Sequence, residues 1–455
     1  MSDRSREKTA KDLIENTTSR RTFLGAAAML AGGVGLAAGC QTRAANGSMA
    51  TSLKPKVATR RPTPPKDGEP IRIAIIGTGG MGRGHLTSML RLNAEQDLNI
   101  EVAALCDVND LFAADALESV RESGQTLEPL VTRRSEDVIA RDDIHGVVIA
   151  TPEHWHAPIA IDAIAAGKDV YIEKPMTFTL EEAVVLRETV RQNPDVMFNV
   201  GTQKIMLPKY QEAKKVIESG RIGVPTFSQT SYCRNSPDGE WNYYGLDDRW
   251  APGQNVDWDR WLGEFGPREW DPKVYIRWRR YRDFSTGILG DLLVHEITPM
   301  LMALETVGWP TRVQAIGSHL VDKDMENHDQ VNLQITFESG HQMIVAGSTC
   351  NEVGLENLIR GHEGNIYLNS RHCEVRPTRP FVDFMDPERI ECPDIGNDQN
   401  VMRLDWLGSI RTRKQPFSSV DLGTKVMIIV DLATRSIWDG AAYSFDRGTM
   451  TARRA

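Results

Sequence analysis

At 455 residues the chain exceeds one ordinary domain, so two are expected behind a processed leader. A composition of 40% hydrophobic and 25% charged residues is that of a globular protein, and no apolar run beyond the N-terminus has the length of a membrane span. The net charge of -9, with no long basic run, argues against a nucleic-acid partner.

The chain opens on polar residues, then Ser19-Arg20-Arg21-Thr22-Phe23-Leu24 and a weakly apolar Ala/Gly stretch up to Cys40. Residues 1–40 resemble a twin-arginine export signal, which implies a periplasmic or cell-surface protein. Ala37-Ala38-Gly39-Cys40 is also similar to a lipoprotein processing site, although Leu36 stands one place too far upstream. A lipid tether at Cys40 therefore stays open. Residues 41–69 carry small residues, Lys, Arg and several prolines, and read as an extended, mobile linker.

From Ile71 the pattern alternates strands and helices, as in a doubly wound parallel sheet. The apolar run Ile71–Ile76 leads into Gly77-Thr78-Gly79-Gly80-Met81-Gly82 and then a helical stretch through His85–Leu90. Strand, glycines, helix is the context of a dinucleotide fingerprint. Gly77 allows the tight turn, Gly79 the close approach of a pyrophosphate, and Gly82 the packing of helix on strand; Gly80 and Met81 open the helix. A second strand, Ile100–Cys106, ends at Asp107, placed to accept from adenosine ribose hydroxyls and to repel a 2′-phosphate, so NAD is expected rather than NADP. Strands Gly146–Ala150, Asp169–Ile172 and Val196–Gln203 follow, with helices over Leu111–Leu117, His156–Ala166 and Leu180–Val190 between them. The strand ends collect Thr151, Pro152, His156, Glu173, Lys174, Gly201 and Gln203. Ligands gather there in such sheets.

Past Leu207 a helix, Tyr210–Ser219, is followed by period-two strands at Thr226–Tyr232, Arg312–Gly317, Asp329–Phe337 and Gln342–Ser348, then a helix over Leu422–Trp438. They point to an open, mainly antiparallel sheet. The expected divisions are a Rossmann domain over 70–205 and a substrate and oligomerisation domain over 206–455. Between Arg234 and Asp283 lie six of the ten tryptophans, read mainly as anchors for a long loop. His154 and His156 lack further ligands at metal spacing, and the six cysteines show no CxxC pair, so no metal is expected.

Three positions carry candidate catalysis. Lys174, between Glu173 and Pro175, could hydrogen-bond a substrate hydroxyl or act as a base, although a plain surface Glu–Lys pair reads the same way. Asp291 and His295 stand four apart in a predicted helix and would share a face, the carboxylate raising the imidazole's basicity. A solvated Asp/His face has the same spacing. Gln203 and Tyr281 are candidate substrate contacts.

Together, the glycine turn, Asp107, Thr151-Pro152 with His156, Glu173-Lys174-Pro175, and Gly290-Asp291 with His295 resemble the glucose-fructose oxidoreductase / inositol dehydrogenase (Gfo/Idh/MocA) family. The resemblance implies a Rossmann domain joined to an α/β domain with an open antiparallel sheet, and a homo-oligomer, dimer or tetramer. It implies Lys174, His295 and Asp291 in catalysis, with Thr151, His156 and Glu173 beside the cofactor. Glu296 and Lys204 depart from the residues frequent at those places and leave the substrate open. The implied activity is hydride transfer between the nicotinamide cofactor and a sugar or cyclitol hydroxyl. Export to a compartment poor in NAD argues for a tightly held cofactor, regenerated in each cycle. An alternative is an NAD-dependent glycoside hydrolase working by transient oxidation, elimination, hydration and re-reduction.

Overall fold

The computed structural model describes residues 52–369 and 371–455. Arg20, Arg21 and Cys40 lie outside them. Among the described residues no helix is long and apolar enough to cross a membrane. Five described cysteines, Cys106, Cys233, Cys350, Cys373 and Cys392, are free thiols.

Six parallel strands form the first sheet: β1 (Ile71–Ile76), β2 (Ile100–Cys106), β3 (Leu130–Thr132), β4 (Gly146–Ile149), β5 (Asp169–Ile172) and β6 (Phe198–Val200). Their order is β3-β2-β1-β4-β5-β6. The direction of winding therefore reverses between β1 and β4, the place where open α/β sheets leave a crevice. Five of the six residues of β1 are buried, as its run of Ile requires. The helices of this half are α1 (Gly80–Gln96), α2 (Asp110–Glu122), α3 (Ser135–Ile139), α4 (His156–Ala165) and α5 (Leu180–Gln192). Thr179 and Glu182 close a capping box at the start of α5. The last strand is shorter than the sequence suggests. It stops at Val200, and Gln203–Met206 form a 3₁₀ turn that carries Gln203 off the sheet.

The second sheet has ten strands. They are β7 (Pro225–Cys233), β8 (Pro310–Ser318), β9 (Gln330–Phe337), β10 (Gln342–Ser348), β11 (Leu358–Gly361), β12 (Gly364–Leu368), β13 (His372–Pro377), β14 (Glu388–Glu391), β15 (Tyr443–Asp446) and β16 (Thr451–Arg454), ordered β14-β13-β12-β11-β7-β10-β9-β8-β15-β16. Every pairing is antiparallel except β7 with β10. Period-two burial marks β8 and β9 as one-faced strands. The remaining helices are α6 (Pro208–Glu218), α7 (Trp258–Leu262), α8 (Pro272–Ile276), α9 (Val294–Ala303), α10 (Asp398–Thr412) and α11 (Val420–Asp439). Helix α11 packs on β8 and on α5, and so joins the two sheets.

Contacts cross both of the expected boundaries. Residues 52–69 are not a free linker, because their first part is laced to the parallel half. Asn193 accepts from the Ala58 N–H (2.7 Å) and donates to the Lys56 carbonyl (2.8 Å), and the Thr59 N–H donates to the Ala165 carbonyl (2.9 Å). The division at residue 205 is crossed as well. Helix α10 returns to the parallel half, where Trp406 packs over Gly146 and Tyr171 and Arg413 holds Asp169 at 2.6 Å.

Candidate active site

A cleft of about 250 Å³ opens at the carboxyl ends of β1, β4 and β5. One wall is backbone. Gly77 has φ +88°, and a Cβ there would stand 2.7 Å from the Ala150 carbonyl. A Cβ on Gly82 would overlap the Gly77 carbonyl oxygen, so only glycine lets α1 close on β1. A Cβ on Gly79 or Gly80 would meet nothing within 4 Å, and both line the cleft with Met81. Helix α1 starts at Gly80 with no side-chain cap, so its first N–H groups and dipole end are free for an anion. Thr151 adds a buried hydroxyl with no partner among the described residues. This bare turn and uncapped helix fit a dinucleotide pyrophosphate. Asp107 lines the cleft too, yet it already accepts from the Thr78 N–H (2.6 Å), the Thr78 hydroxyl (3.1 Å) and the Asn109 N–H (2.8 Å). Burial raises its carboxyl above the usual range.

The facing wall is charged. Lys174 Nζ donates to the Asp291 Oδ1 (2.8 Å) and to its main-chain carbonyl (2.9 Å). Arg279 Nε donates to the same Oδ1 (2.7 Å). Burial opposes ionisation of Asp291, but the two cations overcome it and hold the carboxyl far below its usual value. Glu173 is held by His85, whose Nε2 stands 2.8 Å from its Oε1. Arg403 Nε donates to the His85 Nδ1 (3.0 Å), which leaves Nε2 as the protonated nitrogen facing Glu173. Burial alone would raise Glu173; His85 and then Lys174 keep it low.

The expected Asp291–His295 pair does not form. Ile288–Leu293 is a π-helical turn that precedes α9, and Asp291 spends its carboxylate on Lys174 and Arg279. The His295 imidazole is instead pushed down to about 3, by burial first and by the Lys174 charge second. It is neutral at physiological pH, and its buried Nδ1 has no partner among the described residues.

Behind Asp291 lies Glu153, buried, accepting from the Ser285 hydroxyl (2.6 Å), the Thr286 N–H (3.2 Å) and the Thr286 hydroxyl (3.3 Å). Burial lifts its carboxyl to about 7. Glu153 thereby ties the turn after β4 to the segment that starts the π-helical turn.

The Trp-rich stretch closes the other end of the cleft. Trp250, Trp258, Trp261, Tyr275 and Phe284 form their own buried cluster, against which Phe112 packs. Its backbone is stitched to the parallel half: Asp257 N–H to the Val108 carbonyl (2.8 Å) and Asp110 N–H to the Asn255 carbonyl (2.9 Å). Arg260 meets Glu136 at 3.1 Å, and both the His154 and Trp155 rings stand 2.8 Å from the Trp261 carbonyl. The anchoring reading of these tryptophans holds.

Of the expected residues, Gly77, Gly79, Gly80, Met81, Asp107, Thr151, Glu173 and Lys174 line the cleft. Gly82 sits behind the turn. His156 does not face the cleft; its ring lies between the carbonyls of Pro175 (2.7 Å) and Thr151 (2.9 Å) and fixes those two turns. Gln203, Tyr281, Asp291 and His295 are not in the lining; Asp291 reaches it only through Lys174 and Arg279, and Tyr281 packs instead on the tryptophan cluster, under Arg268. Sequence reasoning missed Arg279, Glu153, His85 and Arg403. Glu153 stands between the marked Pro152 and His156, His85 in the helix after the glycines and Arg279 in the tryptophan-rich stretch, while Arg403 lies in no marked stretch.

Residues 71–202 match the model of an oxidoreductase family with an NAD-binding Rossmann fold, and 264–367 match the GFO/IDH/MocA C-terminal domain, together just over half of the chain. A scyllo-inositol 2-dehydrogenase (NAD(+)) of Bacillus subtilis is 27% identical over 67% of this chain and 76% of its own length. A glycosyl hydrolase family 109 protein of a Shewanella strain is 33% identical, over 41% of each protein. The chain thus spans well under half of that glycosidase relative. Among solved structures, a levoglucosan dehydrogenase in complex with NADH and levoglucosan superposes with a TM-score of 0.63 over 83% of this chain and 99% of its own, at 22% identity, which shows the shared fold.

Proposed function

Because the chain belongs to the GFO/IDH/MocA oxidoreductase family, we propose that it oxidises a sugar or cyclitol hydroxyl with an NAD that stays bound through the cycle. The observation that carries this reading is Lys174, held from behind by Asp291 and lining the same cleft as the bare glycine turn. NAD, when bound, supplies the hydride acceptor. Lys174 orients the substrate hydroxyl, and Asp291 holds Lys174 in place. His295, neutral and with a free Nδ1, takes the hydroxyl proton. The tryptophan strap over the far end supports retention of the cofactor, as does the leader. In this reading the protein is exported by the twin-arginine route, tethered through Cys40 and assembled as a homo-oligomer.

The test is to denature the purified protein without added nucleotide and to identify what it releases by mass spectrometry. Stoichiometric NAD or NADH is expected, and His295→Gln should slow nicotinamide reduction by sugar about 100-fold. A protein that purifies empty and binds NAD weakly defeats the retained-cofactor reading. The similarity to a family 109 glycosidase favours a second reading, glycoside cleavage by transient oxidation. Release of a free aglycone without any added redox partner separates the two.

A further inference from the structure

Arg279 is built more elaborately than a counterion for Asp291 needs to be. Its Nε is fixed on Oδ1 of Asp291, and its Cζ lies over the Trp278 ring, 4.1 Å from the centroid. Both Nη groups have no hydrogen-bond partner among the described residues, and Arg279 lines the cleft. Lys174 ends on the same Oδ1, so the two cations stand no further apart than those two bonds allow. One carboxylate thus serves two cations.

The surrounding charges do not make up the difference. Glu173 is taken by His85, backed by Arg403. Lys204 pairs with Glu296, and Arg234 with Glu240. At the far end Arg133 is matched by Asp110 and Arg260 by Glu136. Glu153 is buried behind Asp291 and largely protonated below about pH 7. Asp107, the remaining carboxylate of the lining, is held by Thr78 and Asn109, so the forked Nη edge of Arg279 faces the cleft with no carboxylate bonded to it among the described residues.

We propose that the substrate carries a carboxylate, held by the Nη edge of Arg279, and is therefore a uronic acid or a glycoside of one. This rests on the sugar-oxidising reading of the same site. A guanidinium edge matches a carboxylate with two parallel N–H···O bonds, and the bond to Asp291 and the contact with Trp278 hold the group in place beforehand. A monoanion suffices for that edge, where a phosphate dianion would bring a second negative charge into a cleft that Glu173 and Asp107 also line. The cofactor's pyrophosphate is not the ligand of this edge, because the glycine turn and the start of α1 serve it.

The test uses the full chain with its retained NAD. Binding of D-glucuronate, D-galacturonate, D-glucose and D-glucose 6-phosphate is followed by tryptophan fluorescence, and nicotinamide reduction by absorbance. The uronates should bind about tenfold or more tighter than glucose, with a preference that shrinks as salt rises. Arg279→Gln should erase that preference and Arg279→Lys restore part of it. Equal binding of glucose and the uronates, tighter binding of the phosphate, or an unchanged preference in Arg279→Gln overturns the proposal. Should Arg279→Gln not fold, the wild-type preference and the Arg279→Lys variant decide. If uronates bind preferentially but no sugar reduces the nicotinamide, the oxidoreductase reading fails and the carboxylate site stands.

Discussion

The two walls of the cleft are made in opposite ways. The glycine wall is one short piece of chain, from Gly77 to Gly82, and its working surface is backbone. The charged wall draws Lys174 from the end of β5, Arg279 from a loop turn and Asp291 from a π-helical turn, and its working surface is side chain. The first tolerates no added atom at Gly77 or Gly82, and the second no lost charge. A backbone wall is rigid because its neighbours are covalent. A charge wall is rigid only while its ions balance.

The largest effect should come from unbalancing the ions. Asp291→Ala leaves Lys174 and Arg279 nearly buried without their carboxylate, and should lower unfolding stability by about 3–5 kcal/mol in a denaturant titration. A loss under about 1 kcal/mol would mean that water screens this wall, and the contrast would collapse. Next comes pH. Glu153 has a carboxyl at about 7 in the folded chain against an ordinary 4.5, so the native state holds a proton that the unfolded state releases. Its contribution is full below about 4.5 and is lost as pH rises to about 7, by roughly 3 kcal/mol. The stability difference between wild type and Glu153→Gln, measured across that window, should follow this slope; a flat difference would place the titration elsewhere.

The glycine wall is broken by a methyl group. Gly82→Ala should lower stability by about 3 kcal/mol, because the new Cβ overlaps the Gly77 carbonyl. Gly79→Ala has open space around its Cβ, so its melting temperature should stay unchanged while NAD retention weakens. Equal stability losses in the two variants would refute the assignment of Gly79 to ligand approach. The smallest effect tests the arm: Asn193→Ala removes the bonds to Lys56 and Ala58 and should lower stability by about 1–2 kcal/mol, with cofactor content intact.

The glycine wall was legible in the sequence because its signals are local: an apolar strand, a spacing of glycines, a helix. The parallel strands β1, β2, β4 and β5 were found for the same reason. The charged wall was half legible. Lys174 and Asp291 were marked, but the partnership assigned to Asp291 was wrong, since i,i+4 spacing assumes an α-helix and a π-helical turn carries Asp291. Arg279 was hidden in a stretch whose strongest signal was tryptophan. His85 and Arg403 are 318 positions apart, and no pattern along the chain announces such a pair. Strands β11 to β14 are short and weakly alternating, so their pairing is set by neighbours more than by propensity.

Helix α10 has a bearing on the order of synthesis. Trp406 covers Gly146 and Tyr171, Arg403 backs His85, and Arg413 neutralises Asp169, yet all three residues leave the ribosome long after β6. A nascent chain ending anywhere before residue 398 therefore holds a parallel sheet with one flank uncovered and a buried aspartate unpaired. Such a sheet is complete only once residues 398–413 have been made, so any step that demands a folded protein must wait for them.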